Sequence, residues 1–288
     1  MRIATWNVNS LRARLDKVRW WLERARPDVL LMQETKLTDA DAPVAEFRDL
    51  GYELAHHGEG RWNGVAIASR VGVSGVVTHF GDPLSPARAP ATGDDEPLGE
   101  ARMMAADCGG VRVVSLYAPN GRMVGSPFYA AKLGWFERLA RWLDAATDPA
   151  QALVLGGDFN VAPEDADVWD PAACHGGTHV SPREREAFAK LLRFGLVDLY
   201  RARRRELGRY TWWDYRAGHF HKNLGMRIDH LLATRPLAER VVWAEIDREA
   251  RKGKPTPSDH APVLVDVDEP GHPLDAGWAG ADGRIAAR

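Results

Sequence analysis

Residues 152–160 read ALVLGGDFN: a short apolar run, two glycines, then a carboxylate and an amide on either side of one aromatic residue. A continuous apolar stretch of this length, closed by glycines, has the signature of a strand buried on both faces. Its polar residues, Asp158 and Asn160, stand just past the apolar run. The same arrangement recurs along the chain. RIATWNVNS (2–10) places Asn7 and Asn9 at the end of a first strand, and VLLM (29–32) runs into Gln33 and Glu34. The run 111–117 ends on Tyr117 with Asn120 close behind, Asp229 lies inside RIDHLLA (227–233), and Asp259 and His260 precede a last run at 262–267. Polar groups at strand ends tend to converge on one rim of a sheet, where ligands bind.

Further strand-like runs lie at 64–68, 71–77 and 103–107. Helical spacing separates some of them. Leu15, Val18, Leu22 and Ala25 share one helical face that stops before Pro27, and Leu133, Phe136, Leu139, Ala140 and Leu143 make a second stripe. A third, with Phe188, Leu191 and Leu192, opens on Ser181 and Pro182, a helix cap followed by proline in the first turn. Strands outnumber helices and several follow one another directly, which excludes a simple alternation of strand and helix. The pattern predicts an α/β protein with two mixed β-sheets packed together and helices outside, a four-layer αββα sandwich. A single domain is expected over 1–268, with the Pro-, Gly- and acid-rich 81–101 as a long surface loop and 269–288 as a flexible tail.

The 288 residues are 45% hydrophobic and 27% charged, an ordinary globular composition that needs no disulfide or metal staple to fold. Two cysteines, Cys108 and Cys174, are too few for a disulfide framework. No run of about 18 apolar residues exists, and the chain opens on a strand rather than a signal peptide. A cytoplasmic, monomeric protein with no membrane partner is expected. Lys and Arg number 38 against 40 Asp and Glu, a net charge of −2. That balance argues against a protein whose whole surface binds nucleic acid. It leaves room for local basic stretches around an acidic centre: Arg12 and Arg14, 201–205, and 248–254.

Singly, the polar residues have ordinary structural roles, Glu34 as a solvated turn and Asp158 as the side chain that closes a turn. Asp229 is different, because a carboxylate inside an apolar run is costly unless it is paired with a cation, a metal or a histidine. Adjacent residues of an extended segment point to opposite sides, so Asp259 is poorly placed to hold the His260 ring. Asp229, from another strand, is the better partner.

Eight stretches carry a resemblance: TWNVNSLRARL (5–15), QETK (33–36), LYAPNG (116–121), GGDFNVAP (156–163), GLVDLYR (195–201), YTWWDYR (210–216), MRIDHLLAT (226–234) and PSDHAPV (257–263). From Arg2 to about Val267 the chain resembles the endonuclease/exonuclease/phosphatase superfamily. VNSLRAR, GLVDLYR and TWWDYR point to its exonuclease III-type apurinic/apyrimidinic endonucleases. The resemblance implies that Glu34 holds a divalent metal, with Asn7 beside it and Asp259 near by. Mg²⁺ suits a few oxygen ligands, and Mn²⁺ is the alternative. Asp158 would orient and deprotonate the attacking water, Asn160 would hold water or phosphate, and Tyr117 and His260 would donate to phosphate oxygens, His260 held by Asp229.

Trp212 would lie against the base-less sugar, with Met226 where some relatives carry a second aromatic. Asn120 and Lys132 would lie near DNA phosphates, and Arg12 belongs to a basic stretch that could follow the duplex. The implied activity is hydrolysis 5′ to abasic sites in duplex DNA, with 3′→5′ exonuclease and cleaning of blocked 3′ ends. Two rivals stand: a phosphoesterase for a small phosphorylated molecule, and a protein that binds damaged ends without cutting. Retention of Glu34, Asp158 and His260 speaks against the second.

Overall fold

Asn7, Glu34, Tyr117, Asp158 and His260 are brought to one rim by two sheets. The computed structural model describes residues 1–82 and 101–274. The first half contributes β1 (Arg2–Asn7), α1 (Leu11–Ala25), β2 (Val29–Gln33), α2 (Val44–Asp49), β3 (Glu53–His57), β4 (Val65–Ser69), β5 (Ser74–Val77), β6 (Met103–Cys108), β7 (Val111–Tyr117) and α3 (Pro127–Ala146). The second contributes β8 (Leu153–Asp158), α4 (Pro171–Cys174), α5 (Pro182–Arg193), β9 (Leu196–Asp198), α6 (Leu199–Arg203), α7 (His219–Lys222), β10 (Asp229–Thr234), α8 (Arg235–Ala238), β11 (Val241–Ile246) and β12 (Val263–Val267).

One six-stranded sheet runs β11-β12-β1-β2-β4-β3 and the other β5-β6-β7-β8-β10-β9. β1 pairs in parallel with β2, and β7 with β8; the remaining ladders are antiparallel. Alternate side chains of each central strand face opposite layers. Val29 and Leu31 join Ile3, Ile67, Val113, Val154 and Leu231 in the core between the sheets. Leu30 and Met32 face the other way, packing with Trp6, Trp21 and Leu22 under α1. Leu153 and Leu155 pack with Trp135, Phe136, Phe188 and Leu191 of α3 and α5. This is the four-layer αββα sandwich predicted.

Local chemistry sets the helix ends. Ser10 caps α1 by accepting from Ala13 N, while Ser181 and Glu184 cap α5 reciprocally ahead of Pro182. The glycine pair in β8 answers to crowding. A Cβ on Gly156 would stand 2.5 Å from Leu31 Cδ1, and one on Gly157 would stand 1.9 Å from Leu116 O. Larger residues would therefore push β8 away from both the facing sheet and β7.

Three strands escaped the sequence pattern. β3 is an edge strand whose polar ELAHH is only partly buried, β9 has just three residues, and β11 reads VVWAEI without a turn signal before it. The expected 71–77 strand narrows to β5, another edge, which is largely exposed. The tail expected from 269 begins as packed chain: Gly271 N donates to Asp266 Oδ2 at 2.7 Å and Leu274 is buried under α1. Residues 275–288, and 83–100 of the expected surface loop, lie outside the described residues. Among the described residues no helix is long and apolar enough to cross a membrane.

Candidate active site

Asn7 ends β1, and its amide Nδ2 donates to Glu34 Oε1 at 2.8 Å and to Asp158 Oδ2 at 3.0 Å. Its Oδ1 accepts from Asn9 N at 3.0 Å, so the side chain is fixed at both ends. Glu34 follows β2 in the left-handed region at φ +52° and pairs with Lys36 at 2.9 Å. The Glu34 charge acts on the Tyr117 hydroxyl, while Arg102 lies 4.5 Å over the Tyr117 ring. Asp158 ends β8 and its Oδ1 accepts from Asn160 N at 2.9 Å. Asn160, also left-handed at φ +51°, donates to Ala118 O at 3.0 Å and accepts from Asn120 Nδ2 at 3.2 Å.

The β8–β10 ladder sets Asp229 directly opposite Asp158. His260 completes the group: Nδ1 donates to Asp229 Oδ2 at 2.8 Å, and Nε2 stands 3.9 Å from Asp158 Oδ2. Burial, then the neighbouring Asp229 carboxylate, pushes the Asp158 pKa up to about 7 despite the opposing His260 charge. Burial alone would discharge His260, but the Asp229 charge and hydrogen bond carry its pKa up to about 10. Tyr117 is held well above its usual value by burial and then by the Glu34 charge. The rim therefore pairs a carboxylate able to take a proton near neutrality with an imidazolium and a phenol able to donate hydrogen bonds.

Glu34, Asp158 and His260 each offer one donor atom within 4.8 Å of the other two. Two carboxylates among the three suit a hard divalent cation that keeps several waters. The Asn7 amide nitrogen, which faces both carboxylates, cannot ligate a cation. A cavity of about 500 Å³ opens beside them, lined by Glu34, Lys36, Trp62, Tyr117, Asn120 and Phe128 among others.

The sequence profile of the Endonuclease/Exonuclease/phosphatase family matches residues 4–260. This chain belongs to that family. It is 30% identical over 281 residues to the exodeoxyribonuclease III of Haemophilus influenzae, covering 92% of this chain and 99% of that protein. Among solved structures it is similar to an AP endonuclease from Archaeoglobus fulgidus, with TM-score 0.85, 38% identity, and coverage of 93% of this chain and 100% of that one. It is also similar to a 3′ phosphatase from Neisseria bound to a product DNA hairpin, with TM-score 0.84, 40% identity and the same coverage.

Within this family member, some expected site residues take other positions. Asn7 bridges the two carboxylates through its Nδ2. Asp259 lies outside the mutually close donor atoms: its Oδ1 accepts from Asn9 Nδ2 at 2.8 Å and its Oδ2 from Trp212 Nε1 at 3.1 Å. Lys132 does not face solvent or a phosphate groove. It is wholly buried and paired with Glu184 at 2.5 Å, because α3 turns that face toward α5.

The substrate-side residues are better exposed. Asn120 is at the surface, and Arg12 stands on the first turn of α1, 70% exposed and 3.4 Å from Asp41. Trp212 and Met226 are half-buried and pair backbone to backbone, with Trp212 N donating to Met226 O at 2.9 Å and Met226 N returning at 3.0 Å. Trp213, by contrast, is core. Much of the basic stretches is structural. Arg201 is tied to Asp167 and Arg204 to Glu245, while Arg248 and Arg251 stack on Phe220. Lys36 and Arg102 went unassigned in the sequence. Lys36 had a signal, its place in QETK beside Glu34; Arg102 had none.

Proposed function

We propose that this chain is a Mg²⁺-dependent DNA repair nuclease that hydrolyses the phosphodiester 5′ to abasic sites in duplex DNA. Trimming of 3′ ends and removal of 3′ blocking groups belong to the same site. One observation carries the reading: Asp158 shares a buried rim with the Asp229-held His260 and with Glu34. The named relatives act on DNA, and the 3′ phosphatase was captured with a DNA hairpin.

Glu34 would hold the cation, with waters completing its shell, while His260, protonated against Asp229, ligates nothing; Mn²⁺ suits the same carboxylate oxygen. When bound, the cation supplies positive charge that polarises a phosphate oxygen and stabilises the leaving 3′ oxygen. Asp158 orients a water and takes its proton. His260 Nε2 and the Tyr117 hydroxyl donate to phosphate oxygens as charge accumulates there, while Asn160 and Asn120 hold the phosphate in place. Asp229 keeps His260 charged and correctly turned. Trp212 presents its ring to a flipped, base-less sugar, with Met226 on the paired backbone beside it. The expected working form is a cytoplasmic monomer.

A second reading, processing of 3′ ends without internal incision, is favoured by the 40% identity to the Neisseria 3′ phosphatase. Three labelled duplexes separate the two: one with an internal abasic analogue, one with a 3′-phosphate and one intact. Each is incubated with Mg²⁺ and then with EDTA. Metal-dependent nicking 5′ to the abasic analogue, faster than any cut in the intact duplex, supports the proposal. Phosphate release and trimming without nicking would transfer the site to 3′ ends, and no reaction on any duplex would return it to small phosphoesters.

A further inference from the structure

Lys132 lies in α3, yet its side chain is 0% exposed. Burying an ammonium costs several kcal/mol unless every N–H finds a partner. Here all three do. Nζ donates to Glu184 Oε1 at 2.5 Å, to the main-chain oxygen of Asn160 at 2.6 Å and to that of Asn120 at 3.3 Å. Those two carbonyls belong to the residues whose side-chain amides meet at 3.2 Å on the rim.

The surrounding chain is built around this ammonium. Glu184 Oε1 also accepts from Thr178 Oγ1 at 2.8 Å and from His179 N at 3.0 Å, and Glu184 Oε2 accepts from Ser181 Oγ at 2.6 Å. Thr178 Oγ1 shares the Asn120 carbonyl at 3.1 Å, and His179 Nδ1 meets the Asn160 carbonyl at 2.6 Å. Gly121, left-handed at φ +85°, lets the chain close on the lysine stem; a Cβ there would stand 3.0 Å from Lys132 Cδ. Asn160 holds a left-handed conformation, which asparagine tolerates better than most residues.

We propose that Lys132 is a positioning residue: its buried ammonium ties the peptide carbonyls of Asn120 and Asn160 together and so aims both side-chain amides at the reacting phosphate. It acts through those residues and touches no phosphate itself. The inference rests on the proposed function, in which Asn120 and Asn160 hold that phosphate.

Lys132→Met alone leaves the Glu184 carboxylate buried without its cation and is expected to unfold readily. The test therefore uses Lys132→Met/Glu184→Gln, which removes both charges, alone and combined with Asn160→Ala. On the best DNA substrate the expected result is a roughly 10- to 100-fold fall in kcat, with KM and its salt dependence unchanged. In the Asn160→Ala background the further loss should shrink to the part carried by Asn120. A raised KM with a salt slope shallower by about one phosphate contact would make Lys132 a DNA contact and overturn the proposal. An equal loss in both backgrounds would also overturn it. If the wild type cuts no DNA, the functional reading fails separately, and the Asn120 and Asn160 side-chain amide resonances then decide: shifted in the double variant, they support positioning; unmoved, they refute it.

Discussion

His260 Nδ1 and Asp229 Oδ2 meet at 2.8 Å inside the protein, and Asp229 Oδ1 has no hydrogen-bond partner among the described residues. The two come from different segments, the approach to β12 and the first residue of β10, so only the completed sandwich brings them together. Asp158 lies directly across the ladder from Asp229. Two carboxylates and one imidazole thus share a single buried space. Their charges settle with His260 protonated against Asp229 and Asp158 pushed toward neutrality.

Asp229→Asn should remove the charge that keeps His260 protonated while leaving the ladder intact. The expected loss in kcat is roughly 100- to 10,000-fold, the scale seen when a histidine loses its orienting carboxylate. The basic limb of the rate profile should also fall from about 10 toward the ordinary histidine value of about 6.5. Stability has the same sign: the folded pKa lies above the unfolded one, so the contribution is complete below about 6.5 and is lost as pH rises through the folded value. Denaturant midpoints and rates of wild type and variant across pH check both points, and a basic limb that stays put would release Asp229 from this role.

Asp158 gives the acid limb. Without added cation its pKa sits at about 7, and a cation next to Glu34 should draw it down, because positive charge favours the carboxylate. Raising Mg²⁺ should therefore shift the acid limb of kcat/KM to lower pH. Asp158→Asn should abolish that limb and cut turnover by several powers of ten, with DNA binding retained. A limb insensitive to Mg²⁺, or near-normal turnover in the variant, would remove Asp158 as the base.

The buried strands could be read from apolar runs such as Val29–Met32, and the rim from the polar residues that end them. The pleat set Asp259 aside as the partner of His260, and the resemblance pointed to Asp229. What composition could not supply was burial at long range. Lys132 has the same local surroundings as a solvated helix residue, and only the packing of α5 against α3 encloses it. The basic stretch 248–254 looked like a phosphate track, but Phe220, remote in sequence, turns Arg248 and Arg251 into stacking partners. Edge strands such as β3 lack the signal altogether, since one open side removes the pressure for apolar alternation.

Arg227 tests the scaffold behind the rim. It is wholly buried and donates to Asp167 Oδ1 and Asp198 Oδ2, each at 2.7 Å. Burial raises both carboxylates, but the Arg227 charge, joined by Arg201 at Asp167 and by His230 at Asp198, more than offsets this and holds them below the usual range. Arg227→Ala should cost about 3 kcal/mol, the low end for breaking a buried pair, because Arg201 still pairs with Asp167 and His230 still faces Asp198; the fall in the urea midpoint measures it. Both folded pKa values lie below the unfolded one, so the wild-type contribution is present above about pH 4 and is lost as pH falls further. A variant equally stable at neutral pH would refute the account.

Trp212 stands where recognition and catalysis meet, with its half-buried ring against the Ala162, Val168 and Ile228 cluster and its Nε1 bonded to Asp259 Oδ2 at 3.1 Å. Two substitutions separate these contributions. Trp212→Phe keeps an aromatic face and loses only the hydrogen bond, so abasic selectivity should survive with a modest fall in rate. Trp212→Ala removes the face as well, and the ratio of kcat/KM for the abasic over the intact duplex should fall by roughly ten-fold or more, in line with about 1–3 kcal/mol for an aromatic–nucleotide contact. The Mg²⁺ requirement should hold in both variants, because Asp259 lies outside the mutually close donor atoms. Equal loss of selectivity in Phe and Ala variants would assign recognition to the Asp259 bond, and unchanged selectivity in both would make Trp212 a packing residue of the rim.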